Sequence, residues 1–277
     1  MSGQPLVVGA VAYTPNVVPI WEGIRSYFQD SDGDGSLDAQ MDFVLYSNYA
    51  RLVESLIAGH IDIAWNTNLA YVRTVLQTGG HCTALAQRDT DVDYTTVFVA
   101  RAGSGLHGPA DIAGKRLALG SADSAHAAIL PLYYLRRAGT PESDLQVIRF
   151  NTDIGKHGDT GRSELDAVEA VLAGEADVAA IGSSTWAAMG AAELMGESLV
   201  EVWRTEGYCH CMFTALDTLP AERYQPWLDR LLAMSWDVPE HRKILELEGL
   251  RRWVAPHLDG YRPLFEAVGE QGIDPRW

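Results

Sequence analysis

Apolar positions along this chain switch between two periods, and the switches predict its elements. Residues 7–11, within "LVVGAVAY", form an apolar, β-rich run that closes on the turn signal "YTPN". "VVPIWEGIRSYF" then places Val18, Trp21, Ile24, Tyr27 and Phe28 at helical spacing. "MDFVLYS" reads as a second strand. "NYARLVESLIAGHIDIAWNTNLAYVRTVLQTG" reads as helix, strand and helix, the first ending near Gly59 and the second capped by Asn66 or Thr67. Strands alternating with helices predict parallel sheet.

The same alternation continues. "YTTVFVARAGSG" is a strand ending in a loop, and "HGPADIAGKRLALGS" a short helix and a strand. "ADSAHAAILPLYYLRRAG" is a helix starting near Asp123 or Ser124, in which Pro131 predicts a kink or a late first turn. "LQVIRF" is a strand, "NTDIGKHGDTGR" a polar loop, "SELDAVEAVLAGEADVAAIGSSTW" helix and strand, and "SLVEVWRTEGYCHCMFTAL" extended. From "PAERYQPWLDRLLAM" to "GYRPLFEAVGEQ" the pattern is helical. "LVESLIAGHIDIAW" and "AVEAVLAGEADVAAIG" share one plan: amphipathic helix, Ala-Gly, a polar pair, an apolar strand.

Composition narrows the function. The 277 residues suffice for one large or two medium domains. A net charge of −16, from 37 acidic against 21 basic residues, repels phosphate backbones and anionic lipid, so nucleic-acid partners are not expected. No apolar run is long enough to span a bilayer, so direct membrane insertion is not expected either. The start "MSGQPLVVGAVAY" lacks a signal-peptide pattern, and three cysteines cannot all pair within one chain. The chain as it stands therefore reads as cytoplasmic; removal of an export signal would instead make it periplasmic or extracytoplasmic.

Three segments carry a family resemblance: "AGHIDIAWNTNLAYV", "DIAGKRLALGSADSAHAAILPLYYL" and "ELDAVEAVLAGEADVAAIGSSTW". In order and spacing they resemble the type 2 periplasmic-binding-protein fold, and within it the phosphonate/phosphate substrate-binding family, over nearly the whole chain. The resemblance implies an α/β fold of two lobes with a ligand cleft between them and a two-strand hinge. Residues 1–95 plus 215–277 would form lobe one and 96–214 lobe two, with "YTTVFVA" and "EGYCHCMFTA" as the hinge strands. It also implies a small-molecule anionic ligand and, as partners, the membrane subunits of an ABC transporter. That reading requires no cofactor.

On such a fold, ligands lie outside the carboxyl ends of strands, against helix N-termini whose free N–H groups and dipole favour anions. This selects Asn66 and Thr67, Ser121, Ser124 and His126, Thr160 and Ser163, and Tyr13 in the first strand-to-helix turn. Simple N-capping is the alternative for Thr67, Ser124 and Ser163. Ser183 and Ser184 in "IGSSTW" stand where an aminoalkylphosphonate binder of the family would carry an Asp, which argues against an amino-phosphonate ligand. In the polar loop, Lys156 and Arg162 are suited to gripping an oxyanion, and His157 and Asp159 to binding metal or moving protons.

Two features suggest metals. Asp30, Asp32, Asp34 and Asp38, with Gly35, follow calcium-loop spacing, but Met41 stands where a bidentate Glu is required, so an acidic turn is the alternative. Cys209 and Cys211 flank His210 in "YCHCMF"; period two would put the cysteines on one face, as a soft-metal pair or as packing, and His210 on the other, where with the cysteines as packing it would be a hydrogen-bond partner for the ligand. The segment is similar in character to the cysteine-rich stretch of thiamine-pyrimidine synthases, cytoplasmic enzymes on this fold. That likeness supports an alternative function: an enzyme using His157, Asp159, His210 and a cysteine, with a calcium or transition-metal cofactor.

Overall fold

Strand β1 (Leu6–Val11) carries the first apolar run and leads into helix α1 (Val17–Gln29). The buried face of α1 is Val17, Trp21, Ile24 and Phe28, whereas Val18, expected on that face, is 45% exposed. A stripe through positions 17, 21, 24 and 28 stays on one side of a helix, and the next residue along turns away by about 100°. Strand β2 (Met41–Tyr46), helix α2 (Tyr49–Ile57), strand β3 (Ile63–Asn66), helix α3 (Asn68–Thr78) and strand β4 (Cys82–Arg88) follow. A second set comprises β5 (Thr96–Arg101), β6 (Arg116–Leu119), α4 (Leu130–Arg137), β7 (Gln146–Arg149), α5 (Arg162–Leu172), β8 (Val178–Gly182), α6 (Ser183–Ala191) and β9 (Leu199–Arg204). The chain then returns through β10 (Met212–Leu216), α7 (Ala221–Leu232), α8 (Pro239–Leu247) and β11 (Trp253–Val254), and ends with α9 (Arg262–Glu270).

This computed structural model describes residues 4–29, 39–156, 161–191 and 198–276. They fall into two units: Met1–Val92, Cys209–Tyr261 and Asp274–Trp277 form unit one, and Asp93–Tyr208 with Arg262–Ile273 form unit two. Unit one holds a six-stranded sheet ordered β11-β4-β10-β3-β1-β2, with β1 parallel to β2 and β3, and β10 antiparallel to its neighbours. Its larger core packs Trp21, Phe28, Trp65, Phe213, Trp227 and Trp253 on one face; Leu52, Val53, Leu56 and Ile61 fill the other. Unit two holds a five-stranded sheet ordered β7-β6-β8-β5-β9, parallel along β7-β6-β8 and antiparallel at β5 and β9.

The shared helix–Gly–Asp–strand plan has a concrete structural meaning. Gly59 and Gly174 end their helices at φ of 71° and 78°, which a residue with a Cβ adopts only at a cost. Three residues on, Asp62 Oδ2 accepts from Val7 N at 2.8 Å, and Asp177 Oδ2 from Arg116 N at 2.9 Å. The same aspartates donate their own N–H groups back, Asp62 to Val7 O and Asp177 to Arg116 O, each at 2.9 Å. Each Asp thus fixes its strand beside the neighbouring parallel strand, β3 beside β1 and β8 beside β6, and sets the register.

Of four features to compare with the sequence expectation, the first meets it as a late first turn and the other three differ. Pro131 sits in the first turn of α4, preceded by a π-helical turn, Ala125–Ile129, capped by Ser124. Leu130 N reaches back to Ala125 O, and Pro131, with no N–H, ends that wide spacing where the α-helix begins. Strand β10 starts only at Met212; before it, Tyr208 makes an isolated bridge to Tyr94 and Cys209 N bonds Gly260 O, so the "YCHC" segment does not alternate as a strand. The C-terminal part is not all helix, because Trp253 and Val254 pair antiparallel with Arg88 and Gln87. Finally, α9 belongs to unit two, where Glu266 accepts from Tyr133 OH at 2.6 Å and Gln271 Nε2 donates to Ile129 O at 2.8 Å.

Candidate functional site

In unit two, the loops after β6 and β7 are bonded to each other. Ala122 N donates to Asn151 Oδ1 at 3.0 Å, Asp153 N to Ser121 Oγ at 3.0 Å, and Gly155 N to Asp123 Oδ2 at 2.8 Å. Asp153 Oδ2 in turn accepts from Ser163 N, at the start of α5, at 2.7 Å. Ser121, Ser124 and Ser163 are therefore brought to the carboxyl ends of parallel strands, all buried. Ser124 Oγ accepts from Ala127 N at 3.2 Å, so it does cap the helix start, as the simpler reading of that residue requires.

Behind these serines lies a pair the sequence did not reveal. His126 Nε2 lies 2.8 Å from Glu164 Oε1, with both side chains at most 2% exposed, and Glu164 Oε2 accepts from Gly182 N at 2.6 Å. A Cβ on Gly182 would come within 2.3 Å of Tyr94 Oη and 3.0 Å of His126, so only glycine permits this approach. His126 O accepts from Thr96 Oγ1 at 2.7 Å, and Thr96 Oγ1 lies 2.9 Å from the Tyr208 hydroxyl. Burial pushes the Tyr208 phenol well above its ordinary range, leaving it a neutral hydrogen-bonding group. Ser183 opens α6, with its hydroxyl accepting from Thr95 N at 3.3 Å.

The cations of the polar loop are placed differently from one another. Lys156 is exposed, and Arg162 is tied to Asp166 at 2.7 Å and Glu169 at 2.8 Å along α5. His157, Asp159 and Thr160 lie outside the described residues, as do Asp30, Asp32, Asp34 and Asp38.

In unit one, Thr67 caps α3 by accepting from Ala70 N at 3.4 Å, and Tyr13 is half-buried after β1. Asn66, at the end of β3, is wholly buried, and neither its Oδ1 nor its Nδ2 has a hydrogen-bond partner among the described residues. A buried polar atom left unsatisfied costs about 1–3 kcal/mol, so an amide orphaned at both ends calls for a partner.

Cys209, Cys211 and His210 are all buried in unit one. Cys209 Sγ packs against Val92 O at 3.5 Å and His257 O at 3.2 Å. Cys211 Sγ lies 3.1 Å from His210 Nδ1, which is 3.4 Å from Asp91 Oδ1, so Asp91, His210 and Cys211 bring three donor atoms within 4.8 Å. Arg88 already occupies this cluster: its guanidinium donates to both Asp91 oxygens, at 2.7 and 2.9 Å, and to Cys211 Sγ at 3.7 Å. Burial alone would raise the Asp91 carboxyl, but Arg88 and His210 outweigh it and hold it below its usual value. The guanidinium supplies the positive charge that a metal would otherwise bring.

Two sheets of this order, each with parallel strands ending at helix starts, define the fold of type 2 periplasmic binding proteins. The chain matches the family described as ABC transporter, phosphonate, periplasmic substrate-binding protein, over residues 16–261, and it belongs to that family. It is 23% identical over 246 residues to the probable ABC transporter phosphite binding protein PhnD1 of Prochlorococcus marinus (strain MIT 9301), covering 85% of this chain and 80% of the relative. The structure of PhnD1 in complex with methylphosphonate superposes with a TM-score of 0.74 at 20% identity, covering 97% of this chain and 98% of that one. The periplasmic aliphatic sulphonate binding protein SsuA of Escherichia coli superposes with a TM-score of 0.66 at 16% identity, covering 99% and 95%. Membership of a periplasmic family implies an extracytoplasmic working location, and no helix among the described residues is long and apolar enough to cross a membrane. The alternative of a cytoplasmic enzyme draws no support from these matches.

Proposed function

We propose that this chain captures a small phosphorus oxyanion, a phosphonate or a phosphate-like ion, and delivers it to the membrane subunits of an ABC transporter outside the cytoplasm. The observation that carries the reading is the family match over residues 16–261. The geometry adds support in unit two, where Ser121, Ser124 and Ser163 stand at strand ends beside the start of the helix running from Ala125 to Arg137. Neutral hydroxyl and N–H donors hold an oxyanion without an ion pair, helped by the helix dipole. His126 and Glu164 position that helix start, and Ser183 lies at the neighbouring strand end. Lys156 and Thr160 are further ligand contacts in this proposal. In unit one the proposed contacts are Tyr13, Asn66 and Thr67, the Asn66 amide having no hydrogen-bond partner among the described residues. The capture is by binding alone and uses no cofactor. With Asp91 satisfied by Arg88, His210, Cys209 and Cys211 serve as packing in this proposal.

The test is thermal denaturation with phosphate, phosphite, methylphosphonate or sulfate at millimolar concentration. A ligand at 100 times its dissociation constant stabilises the folded state by about 2.7 kcal/mol, which for a chain of this size raises the melting temperature by roughly 5–10 °C. A melting temperature indifferent to every phosphorus oxyanion would sink the proposal.

A further inference from the structure

Two guanidiniums stack on one indole in unit one, and a third stands beside them. Strand β11 forms one edge of the six-stranded sheet, and Arg251 and Arg252 lead into it. Arg251 and Arg242 lie over the Trp236 ring, 5.1 and 5.5 Å from its centroid. Arg242 Nε also donates to Trp236 O at 2.8 Å, which fixes that side chain. Trp236, Arg251 and Arg252 line a surface cavity of about 620 Å³, whose apolar part includes the exposed Leu232.

Arg242, Arg251 and Arg252 have no carboxylate partner among the described residues. Elsewhere on the surface Arg116, Arg136, Arg162 and Arg204 each hold one. Asp89 and Asp237 also line the cavity, but Asp89 Oδ1 accepts from the Arg251 backbone N–H at 3.1 Å, and neither Asp pairs with a guanidinium. Cations gathered this closely repel one another, and a carboxylate set among them offsets that repulsion. A guanidinium stacked on an indole keeps its edge open for two parallel N–H bonds to a carboxylate, and its side-chain entropy is already spent.

The charge of the whole chain decides what kind of anion fits. A net charge of −16 repels extended polyanions and anionic membranes. Screening limits that repulsion to about 8 Å at physiological salt, so a short acidic segment seated on the patch meets the guanidiniums rather than the distant carboxylates. Trp and Arg are also the side chains that carry most of the energy in protein interfaces. We infer that Trp236, Arg242, Arg251 and Arg252 form an interaction surface for an acidic segment of a partner protein, with carboxylates on Arg251 and Arg252 and an apolar side chain against Leu232 and Trp236. None of these residues is among those proposed to hold the oxyanion, so the two can fail separately.

The experiment titrates a capped peptide of four glutamates around one leucine into the wild-type protein and the double variant Arg251→Glu, Arg252→Glu. Saturable binding to the wild type is expected, weakened at least about 10-fold in the double variant and weakened in the wild type by added salt. Both substituted side chains are exposed, so thermal unfolding should be unchanged, which separates lost binding from a lost fold. Equal peptide affinity in the two proteins, or no saturable binding to the wild type up to about 10 mM, overturns the surface. So does wild-type binding to phosphatidylglycerol vesicles in preference to the peptide, or self-association that the double variant abolishes, since each names a different occupant.

Discussion

Replacing Glu164 by Ala strips two buried partners at once. The His126 ring loses the carboxylate oxygen 2.8 Å away, and Gly182 N loses its acceptor at 2.6 Å. Glu164 and His126 are 2% and 1% exposed at the side chain, so water cannot stand in without opening the structure. Breaking a buried pair by removing one partner costs about 3–5 kcal/mol, and the stranded Gly182 N–H falls within that sum because the losses are coupled. For a chain of this length the melting temperature should drop on the order of 10 °C. Glu164→Gln keeps an oxygen for Gly182 N while losing the charge facing His126, so it should lose roughly half as much. Thermal and urea unfolding of both variants provide the measurement. If Glu164→Ala stays within about 0.5 kcal/mol of the wild type, the change behaves like a surface substitution and the pair does not anchor these strand ends.

Other expectations follow from the same structure. The bidentate bond from Arg116 holds the Asp177 carboxyl down at about 2. A depressed folded-state value stabilises the protein above the ordinary carboxyl range and is lost as pH falls towards about 2. Asp177→Asn should therefore cost about 1 kcal/mol at neutral pH, reduced by solvent screening at this partly exposed site, and the gap from wild type should close on acidification below about pH 4, as followed by urea unfolding. Cys209→Ala and Cys211→Ala should each lower stability by about 1–2 kcal/mol while leaving ligand affinity unchanged; a loss of affinity without a loss of stability would show that these thiols serve more than packing.

The sequence carried the repeated parts of this fold better than its exceptions. Gly59 with Asp62 and Gly174 with Asp177 were legible because each pair is a local device: a left-handed helix end followed by a carboxylate that latches the neighbouring strand. Pro131 was legible as a late first turn because the missing N–H acts on its own helix. Trp253 and Val254 were not, since a two-residue strand gets its identity from β4 and has no period of its own. Glu164 looked like an ordinary acidic residue in a helix's first turn, where the dipole alone would favour it; its burial depends on His126, distant in sequence. Asp91 and Arg88 were overlooked for the same reason, although they decide what surrounds Cys211 and His210. The serines at 121, 124 and 163 could be selected from strand-end position, because a helix start after a strand is a local signal.

The central claim, capture of a small phosphorus oxyanion, is tested most directly by calorimetric titration of methylphosphonate into the purified wild-type chain. The account predicts saturable one-to-one binding with a dissociation constant in the micromolar range or tighter, about −8 kcal/mol or better, displaced by excess of the preferred phosphorus oxyanion. Absence of saturable heat with methylphosphonate, phosphite and phosphate alike, up to millimolar concentration, would contradict it.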